Sequence, residues 1–442
     1  QYAHHQFAAE IHFRPGEFPV AKGQFIALSG NTGASKGPHI HLEMHKTKSN
    51  NLCDPLNFLK SFIKDKTAPA VYSFKSYPQP GEGVFQHSPD SRIFTFDKGR
   101  FQAWGKVGFG IRANDHMDSV YNNYGVRYTR LYCDGKLVFA SDVNNIPVSC
   151  NRMVNSWGDY DHFLHTKIWF MKSFIEPGNT LPILRAGADR GIINFNQQRD
   201  YHLRYVVSDA FGNQTVKEFT VHGEPQAIPS VAKPEGGVPL YCKKDNRINA
   251  DGVRLNIQKG LLAKDGWLLM RTVPMGNALS MGYSFSKAPY PLFNYAEINI
   301  KAKDGIRNPE KLYIAARNSA AGGGPSAYCG GIYTNGWVKG RFRELSDIYF
   351  LTSDETAPLI TKMNLDPRHL FFKITDSGSG LKAYQASVDG EFILLEFGKN
   401  KEVFFCDLTE TPVQRTGKER TLKVSAVDNR DNRREFVTKI KY

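Results

Sequence analysis

The pentapeptide DKTAP occupies residues 65–69, and a near copy, DETAP, occupies residues 354–358. Each is followed by a short run of β-type residues, AVYSF after the first and LITKM after the second. Apolar runs of this length, bounded by turn formers, are typical of strands. We interpret each pentapeptide as a linker that enters a new β-domain.

The similarity continues downstream of both linkers. AND at residues 113–115 leads to a CDG turn at 133–135, and ITD at 374–376 leads to a VDG turn at 388–390. Both regions close on a strand, a tight Asp/Asn turn and a final strand: YVVSDAFGNQTVKEFTV from Tyr205 and VSAVDNRDNRREFVTKI from Val424. The pattern predicts two related β-domains, the last with the length and rhythm of a small immunoglobulin-like sandwich.

The whole sequence is predicted to be mostly β and to contain several domains. Its 442 residues exceed the size at which one hydrophobic core stops growing. We divide it into an N-terminal segment (1–65), a β-sandwich domain (66–223) with an insertion at about 151–194, a β-rich domain (230–353) and a last sandwich (354–442). The Pro-rich stretch EPQAIPSVAKPEGG fits the linker before the third part.

Charge and hydropathy restrict the surroundings of the protein. The formal net charge of +14 favours an anionic partner or surface. The basic residues are spread along the chain and no nucleic-acid-binding motif is present, so we expect no nucleic-acid partner. No apolar run reaches about 18 residues, and the sequence opens without Met. We therefore expect a soluble protein without a transmembrane segment, and a sequence whose beginning is missing.

Several other motifs are weak. The six cysteines contain no CxxC spacing and are expected to be free thiols, with pairing of Cys133 with Cys150 and of Cys242 with Cys329 left open. The glycine-rich stretch around residues 322–330 lacks the Lys-Ser/Thr pair of a phosphate-binding loop and is interpreted as a loop.

The stretch WGDYDHFLHTKIWF within the insertion gathers aromatic residues and two histidines. Trp157, Tyr160 and Trp169 would pack in a core or form a sugar-stacking platform; packing is the plainer interpretation. Asp161, His162 and His165 have a spacing that also occurs among metal ligands, but the sequence nearby offers no further ligand at a spacing typical of metal sites. We assign no metal there.

The stretch HIHLEM at residues 39–44 is different in kind. As a strand it would place His39, His41 and Glu43 on one face. Two imidazoles at this spacing would serve as a metal ligand and a base beside it, or as hydrogen-bonded residues on a polar sheet face.

The surrounding sequence VAKGQFIALSGNTGASKGPHIHLEM resembles the end of the catalytic domain of lysostaphin-like (LytM-type) zinc endopeptidases. Tyr2-Ala3-His4 and CDPLNFL at 53–59 resemble flanking elements of the same family, so the resemblance covers roughly the first 60 residues. It implies that residues 1–65 are the C-terminal part of a LytM-type β-sheet peptidase domain.

The resemblance also implies roles for three histidines. His41 would bind Zn²⁺, His39 would act as general base on the zinc-bound water, and His4 would be a second active-site imidazole at the reacting carbonyl. The family takes a further His and Asp from an upstream HxxxD element, which this sequence does not contain. We expect that upstream part to be missing.

The expected function is therefore a zinc-dependent endopeptidase of the periplasm, cell envelope or cell exterior that hydrolyses peptide cross-links of peptidoglycan. The β-domains would bind wall glycans or act as spacers. Two alternatives stay open: a non-catalytic LytM-like module that binds or regulates wall hydrolases, and a surface protein whose β-domains bind glycans.

Overall fold

The architecture is mostly β, as predicted, with only 7% helix. The computed structural model describes residues 1–6, 8, 10–29, 37–276, 278–318, 327–363, 369–397 and 402–442. Within these ranges, the strands fall into an N-terminal curled sheet of half-barrel shape followed by several smaller antiparallel sheets.

The first 69 residues carry little regular structure in the part that is described. Their elements are a 3-10 turn (Tyr2–His4), the antiparallel strands β1 (Met44–His45) and β2 (Leu52–Cys53), and the short helix α1 (Leu56–Leu59). This segment is anchored on the curled sheet by a buried ion pair, in which Asp54 Oδ2 lies 2.5 Å from Arg127 Nη1. Leu52 and Ile146 form a β-bridge beside it. The segment and the sheet are therefore in direct contact.

Residues 70–223 contain the curled ten-stranded sheet. Its strands follow the order β4-β3-β5-β12-β11-β6-β7-β9, and β8 and β10 also pair with β5. The bounds are β3 (Ala70–Phe85), β4 (Arg92–Phe94), β5 (Arg100–Asn114), β6 (Tyr128–Cys133), β7 (Lys136–Asp142), β8 (Met171–Lys172), β9 (Leu184–Ala186), β10 (Ile193–Phe195), β11 (Asp200–Ser208) and β12 (Gln214–Gly223). Between β7 and β8 lie a 3-10 turn (Val148–Met153) and the helices α2 (Val154–Trp157) and α3 (Tyr160–Thr166).

The concave side of this sheet holds an aromatic core. Phe74, Phe85 and Phe109 are fully buried there, and ring contacts join all three. The predicted insertion packs against strand β5 at Gly108, where a Cβ atom would lie 2.6 Å from the ring of Phe174. Glycine at this position lets the insertion approach the sheet, since a larger residue would overlap the ring.

Residues 238–353 form the third body of the chain, after the N-terminal segment and the second body, which is the curled sheet; their core lies around Leu255, Ile298, Leu312 and Phe342. It contains a two-stranded sheet (β13-β16) and two five-stranded sheets, β14-β15-β19-β23-β22 and β17-β18-β24-β20-β21. The bounds are β13 (Val238–Leu240), β14 (Asn246–Ala250), β15 (Val253–Ile257), β16 (Gly266–Leu268), β17 (Arg271–Val273), β18 (Gly282–Ser284), β19 (Pro291–Lys301), β20 (Leu312–Arg317), β21 (Ala327–Tyr328), β22 (Ile332–Thr334), β23 (Trp337–Glu344) and β24 (Ile348–Ser353), with a 3-10 turn at Pro309–Lys311.

The last body, residues 359–442, consists of two four-stranded sheets over one core that includes Phe372, Val388, Phe404 and Leu422. One sheet has the order β25-β26-β30-β29 and the other β28-β27-β31-β32. The bounds are β25 (Leu359–Lys362), β26 (His369–Thr375), β27 (Leu381–Val388), β28 (Glu391–Ile393), β29 (Glu396–Phe397), β30 (Val403–Asp407), β31 (Glu419–Asp428) and β32 (Arg433–Lys441), with a 3-10 turn at Leu408–Glu410.

All six cysteines are free thiols. Among the described residues, no helix combines the length and the apolar character that crossing a membrane requires.

Candidate metal centres

Three buried aspartates meet where the chain enters the curled sheet. Asp65 lies in the linker before β3, Asp115 directly follows β5, and Asp209 starts the turn between β11 and β12. Each offers one carboxylate oxygen, and these oxygens lie within 4.8 Å of one another. We call these three residues the first triad.

The turn at Asp209 fixes the orientation of its carboxylate. Asp209 Oδ1 accepts hydrogen bonds from the backbone N–H groups of Phe211, Gly212 and Asn213, at 2.7–2.9 Å. The Asn213 amide donates both to Asp209 Oδ2 (2.7 Å) and to the backbone carbonyl of Asp65 (3.1 Å). The turn between the last two strands therefore holds the linker in place.

Two oxygens of the first triad have no hydrogen-bond partner. Asp65 Oδ2 and Asp115 Oδ1 are buried and unpaired, although the two residues are only 8% and 4% exposed. No Lys, Arg or His of the described chain lies within ion-pair distance of the first triad. Buried carboxylates without a cation are costly, because the charge has lost its water and nothing replaces it.

The electrostatics of the first triad reflect that cost. Burial raises the pKa of Asp65, and the charges of Asp209 and Asp118 add to the effect. Burial, with the charges of Asp209 and Asp65, raises the pKa of Asp115 to about 6. Like charges held together in a low-dielectric site favour either a bound proton or a bound cation.

A second triad occupies the same positions of the last body. Asp354 lies in the linker, Asp376 directly follows β26, and Asp428 ends β31, with their oxygens again within 4.8 Å. Asn432 donates to Asp428 Oδ2 (2.7 Å) and to the Asp354 carbonyl (2.8 Å), as Asn213 does in the first triad. The two sites are thus equivalent in chain position and in hydrogen bonding.

The second triad differs in the turn that follows its middle aspartate. The N–H of Ser379 donates to Asp354 (2.7 Å), and the N–H groups of Gly378 and Gly380 donate to Asp376 (3.0 and 2.7 Å). Burial by itself would raise the pKa of Asp354, but hydrogen bonds from Ser379 and Thr356 lower it. Burial raises the pKa of Asp376, which also faces the charges of Asp354 and Asp428.

The donor set of both triads suits a hard divalent cation. Carboxylate and carbonyl oxygens favour Ca²⁺, Mg²⁺ or Mn²⁺ over the softer metals that bind His and Cys. Ca²⁺ is held at about 2.3–2.6 Å by each ligand, so oxygens within 4.8 Å of one another can contact one ion. Mg²⁺ usually keeps several waters and one or two carboxylates, so three converging carboxylates favour Ca²⁺.

Both triads lie at joints between bodies. The N–H of Asp354 donates to the carbonyl of Lys311 in the preceding body. Lys311 Nζ donates to the Arg430 carbonyl (2.7 Å), while the Arg430 guanidinium donates to the Glu310 and Gly331 carbonyls. Arg430 follows Asp428 in the same turn, so the second triad and the joint share one structural element.

The histidines predicted to be catalytic lie elsewhere. His39 and His41 are exposed and belong to no strand, since β1 begins only at Met44, the last residue of the HIHLEM stretch. The strand prediction for residues 39–43 is wrong, because no neighbouring strand pairs with them among the described residues. The turn containing His4 lies against the last body, where the Tyr2 ring contacts Phe392 at 5.8 Å.

The described residues do not give zinc a three-ligand site at His41. Its Nε2 lies 2.9 Å from Glu43 Oε1, and His45 Nε2 lies 3.0 Å from Glu43 Oε2, all with substantial exposure. The three-ligand groups of the described chain contain none of His4, His39 and His41. The GNTG motif and Ser35 fall in residues 30–36, outside the described residues, as do residues 322–326 of the glycine-rich loop.

The histidines and tryptophans of the insertion pack as ordinary core and surface residues. Trp157 is 5% exposed in the core, and Trp169 packs against Gly158. His162 and His165 lie on helix α3, and neither joins a three-ligand group among the described residues.

Sequence reasoning missed both triads although it had found every part of them. The repeated linker, the AND/ITD pair and the Asp/Asn turn each contribute one aspartate to each site. A signal was present in the sequence: each of the three repeated elements contains an Asp in both copies. This is expected if the three aspartates of each copy form one site.

Comparison with known families places a match in the third body. Residues 238–354 match the model of the Zu5-like domain. No curated protein sequence matches the chain. Together with the absence of strand pairing at residues 39–43, this corrects the assignment to lysostaphin-like peptidases: the chain is mostly β, with several domains, and its residues 238–354 are similar to the Zu5-like domain.

Solved structures show only distant resemblance. The β-1,2-glucanase from Parabacteroides distasonis is 12% identical over 46% of this chain, which covers 36% of that chain, with a TM-score of 0.13. A structure from a 1.5-MDa bacterial ice-binding adhesin is 9% identical over 82% of this chain and 98% of its own, with a TM-score of 0.14. A Ca²⁺-stabilised ice-binding adhesin of an Antarctic bacterium is 8% identical over 84% of this chain and 90% of its own, with a TM-score of 0.12.

Proposed function

We propose that the chain is a calcium-stabilised modular protein of the cell envelope or cell exterior. In it, Ca²⁺ fixes the entry of two β-domains, the curled sheet of residues 66–223 and the immunoglobulin-like sandwich of residues 354–442. The observation that carries the proposal is the equivalence of the two triads, each built from a linker, a strand end and the last hairpin turn.

The proposed role of Ca²⁺ is to hold neighbouring bodies in a fixed order. Each triad takes one carboxylate from the linker and two from the domain that the linker enters, so one ion would join them. The ion would also neutralise carboxylates that otherwise repel one another. Calcium modules outside cells work at dissociation constants of about 10⁻⁴–10⁻³ M, which suits a protein of the envelope or exterior.

Calcium binding to the full chain tests this proposal. We expect two Ca²⁺ per chain by titration calorimetry, one in Asp115→Asn or Asp376→Asn and none in the double variant. Asp97→Asn is a control, because Asp97 is an exposed carboxylate of the same body and lies outside the first triad. Absence of Ca²⁺ binding at millimolar concentration, or two ions retained by the double variant, would refute the proposal.

The predicted zinc-dependent hydrolysis of peptidoglycan cross-links stays a second candidate. The feature of the N-terminal segment that bears on it is a pair of imidazoles, His41 and His45, which both hydrogen-bond to Glu43. Zinc content and peptidoglycan cleavage should be measured on the full chain and on His4→Ala, His39→Ala, His41→Ala and His45→Ala. Zinc retained in every variant, or no cleavage by the unmodified chain, would count against this candidate and leave the calcium proposal untouched.

A further inference from the structure

A cleft of about 430 Å³ lies between the insertion of the second body and the Zu5-like region. Arg152 and Tyr160 line it from the insertion, while Tyr295, Arg341 and Arg343 line it from strands β19 and β23. Clefts at domain interfaces are common ligand sites, and about 300–1,000 Å³ is the usual range. This cleft is therefore large enough for one or two sugar units.

The joint that forms the cleft is held by direct contacts. Arg152 Nε donates to the carbonyl of Leu292 at 3.2 Å. The N–H of Gly178 donates to the carbonyl of Ala263 at 2.7 Å, and a Cβ at Gly178 would collide with the carbonyl of Leu262. The walls are thus fixed relative to each other before a ligand arrives, which lowers the ordering cost of binding.

Three guanidinium groups face the cleft without an ion-pair partner among the described residues. Arg152, Arg341 and Arg343 form no salt bridge there. Burial lowers the pKa of Arg152, and the positive charge of Arg343 adds to this effect. The cleft therefore concentrates positive charge, which a bound anion would neutralise.

The carboxylates of the same cleft do not offset this charge. Glu344 Oε1 already accepts from the Tyr290 N–H (2.6 Å) and from the N–H and hydroxyl of Ser346 (both 3.1 Å). Burial raises the pKa of Glu344. Asp347 also lines the cleft, so three guanidinium groups face two carboxylates.

Aromatic rings stand between the cations. Arg341 and Arg343 project from the same face of β23, because they are two residues apart. Their guanidinium groups lie 5.1 and 4.6 Å from the centre of the Tyr295 ring, which is 43% exposed. A tyrosine ring stacks on the apolar face of a sugar while neighbouring arginines hold its acidic group, often in a bidentate manner.

We propose that this cleft binds an anionic saccharide, with its carboxylate or phosphate held by Arg152, Arg341 and Arg343 and its ring against Tyr295. The rings favour a saccharide over a bare anion, since an inorganic anion gains nothing from them. This site is independent of the calcium proposal, because it shares no residue with either triad.

Titration calorimetry tests the proposal on the full chain, loaded with Ca²⁺ and then freed of excess calcium, because free Ca²⁺ precipitates phosphate and binds galacturonate. The probes are tetragalacturonate for the carboxylate, glucose 1-phosphate for the phosphate, maltotetraose as neutral sugar and inorganic phosphate as bare anion. We expect at least one acidic probe to bind more tightly than maltotetraose and phosphate, with affinity that falls as salt rises. The acidic probe that binds better identifies the source of the anion.

Variants locate the site. Arg341→Ala and Arg343→Ala are expected to weaken binding of the acidic probe by about ten-fold or more, the usual effect of losing one charged hydrogen bond. Arg254→Ala is the matched control, since Arg254 also stacks on a half-buried ring, Trp337, at 3.9 Å in the same sheet but outside the cleft. Arg341 and Arg343 are exposed, so we expect the thermal midpoints of these variants to stay near that of the unmodified chain.

Three results would overturn the proposal. These are no binding of either acidic probe, equal binding of maltotetraose or inorganic phosphate, and equal losses in Arg254→Ala and the two cleft variants. Calcium binding measured on the same samples separates a failure of this site from a failure of the triads.

Discussion

The first and second triads occupy the same three positions of related domains, yet they satisfy their carboxylates differently. In the first, Asp65 Oδ2 and Asp115 Oδ1 are buried without a partner. In the second, backbone N–H groups of the turn after Asp376 reach Asp354 and Asp376. The comparison teaches that one acidic site can be stabilised by turn donors or left to depend on a cation. We expect the first triad to respond more strongly to Ca²⁺.

The largest loss of stability is expected from substitutions at the hairpin turns, where the two triads are most alike. Asp209→Ala would remove the acceptor of three N–H groups in a part-buried turn, and Asp428→Ala would remove the acceptor of the Arg430 and Asn432 N–H groups. We expect a loss of roughly 3 kcal/mol or more in the free energy of unfolding, slightly larger for Asp209→Ala. Urea unfolding measures it, with the exposed Asp97→Ala as control. A loss below about 1 kcal/mol would mean that the turns do not depend on these carboxylates.

The next effect separates the triads by their response to calcium. At free Ca²⁺ of about 100 times the dissociation constant, one bound ion stabilises the folded state by about 2.7 kcal/mol. Asp115→Asn should lose this gain at the first triad, and should be more stable than the unmodified chain in EDTA because a repulsive buried charge is gone. Asp376→Asn should lose the stabilisation by Ca²⁺ at the second triad, and in EDTA its stability should be close to that of the unmodified chain. Thermal unfolding in Ca²⁺ and in EDTA measures both, and identical behaviour of the two variants would abolish the distinction.

A third effect concerns only the second triad. A Cβ atom at Gly378 would lie 2.3 Å from the Asp354 carboxylate, which must then move. We expect Gly378→Ala to cost about 1–3 kcal/mol and to weaken Ca²⁺ binding at this site alone. The exposed Ser377→Ala is the neighbouring control. Unchanged calcium stoichiometry and affinity in Gly378→Ala would show that Asp354 is not a ligand.

The smallest effect is a dependence on pH. Because the pKa of Asp115 is raised to about 6 in the folded chain, its protonated form stabilises the metal-free protein fully below about pH 3.8. That contribution disappears as the pH rises through about 6, and Ca²⁺ affinity should rise over the same range as the proton leaves. Calorimetric titration at several pH values tests this, with Asp115→Asn expected to remove the dependence. A calcium affinity at the first triad that does not change across this range would contradict the assignment.

The sequence was sufficient to predict the β class and the relation between two parts of the chain. Runs such as AVYSF after residue 69 and the closing hairpins have the local pattern of strands, and those strands form as β3, β12 and β32. Local pattern suffices there because strand, turn and strand are adjacent in sequence.

The sites were harder to predict because they depend on contacts between distant residues. Strands β3 to β11 lie between Asp65 and Asp209 in the sequence, so only the folding of the sheet brings the two residues together. The strand prediction for the HIHLEM stretch failed for the opposite reason. Its alternation suits a strand, but a strand also needs a neighbour to pair with. Among the described residues, only Met44 of this stretch has one.

The linker at residues 353–358 illustrates a consequence for cleavage by proteases. Proteases need an extended, accessible segment, but here the N–H and carbonyl of Asp354 are both hydrogen-bonded, to Lys311 and Asn432. Residues 224–237, by contrast, contain no strand or helix and include an exposed run at 229–233. Of the two linkers, limited digestion should therefore cut residues 224–237 before residues 353–358, and leave the Zu5-like region and the last body as one fragment.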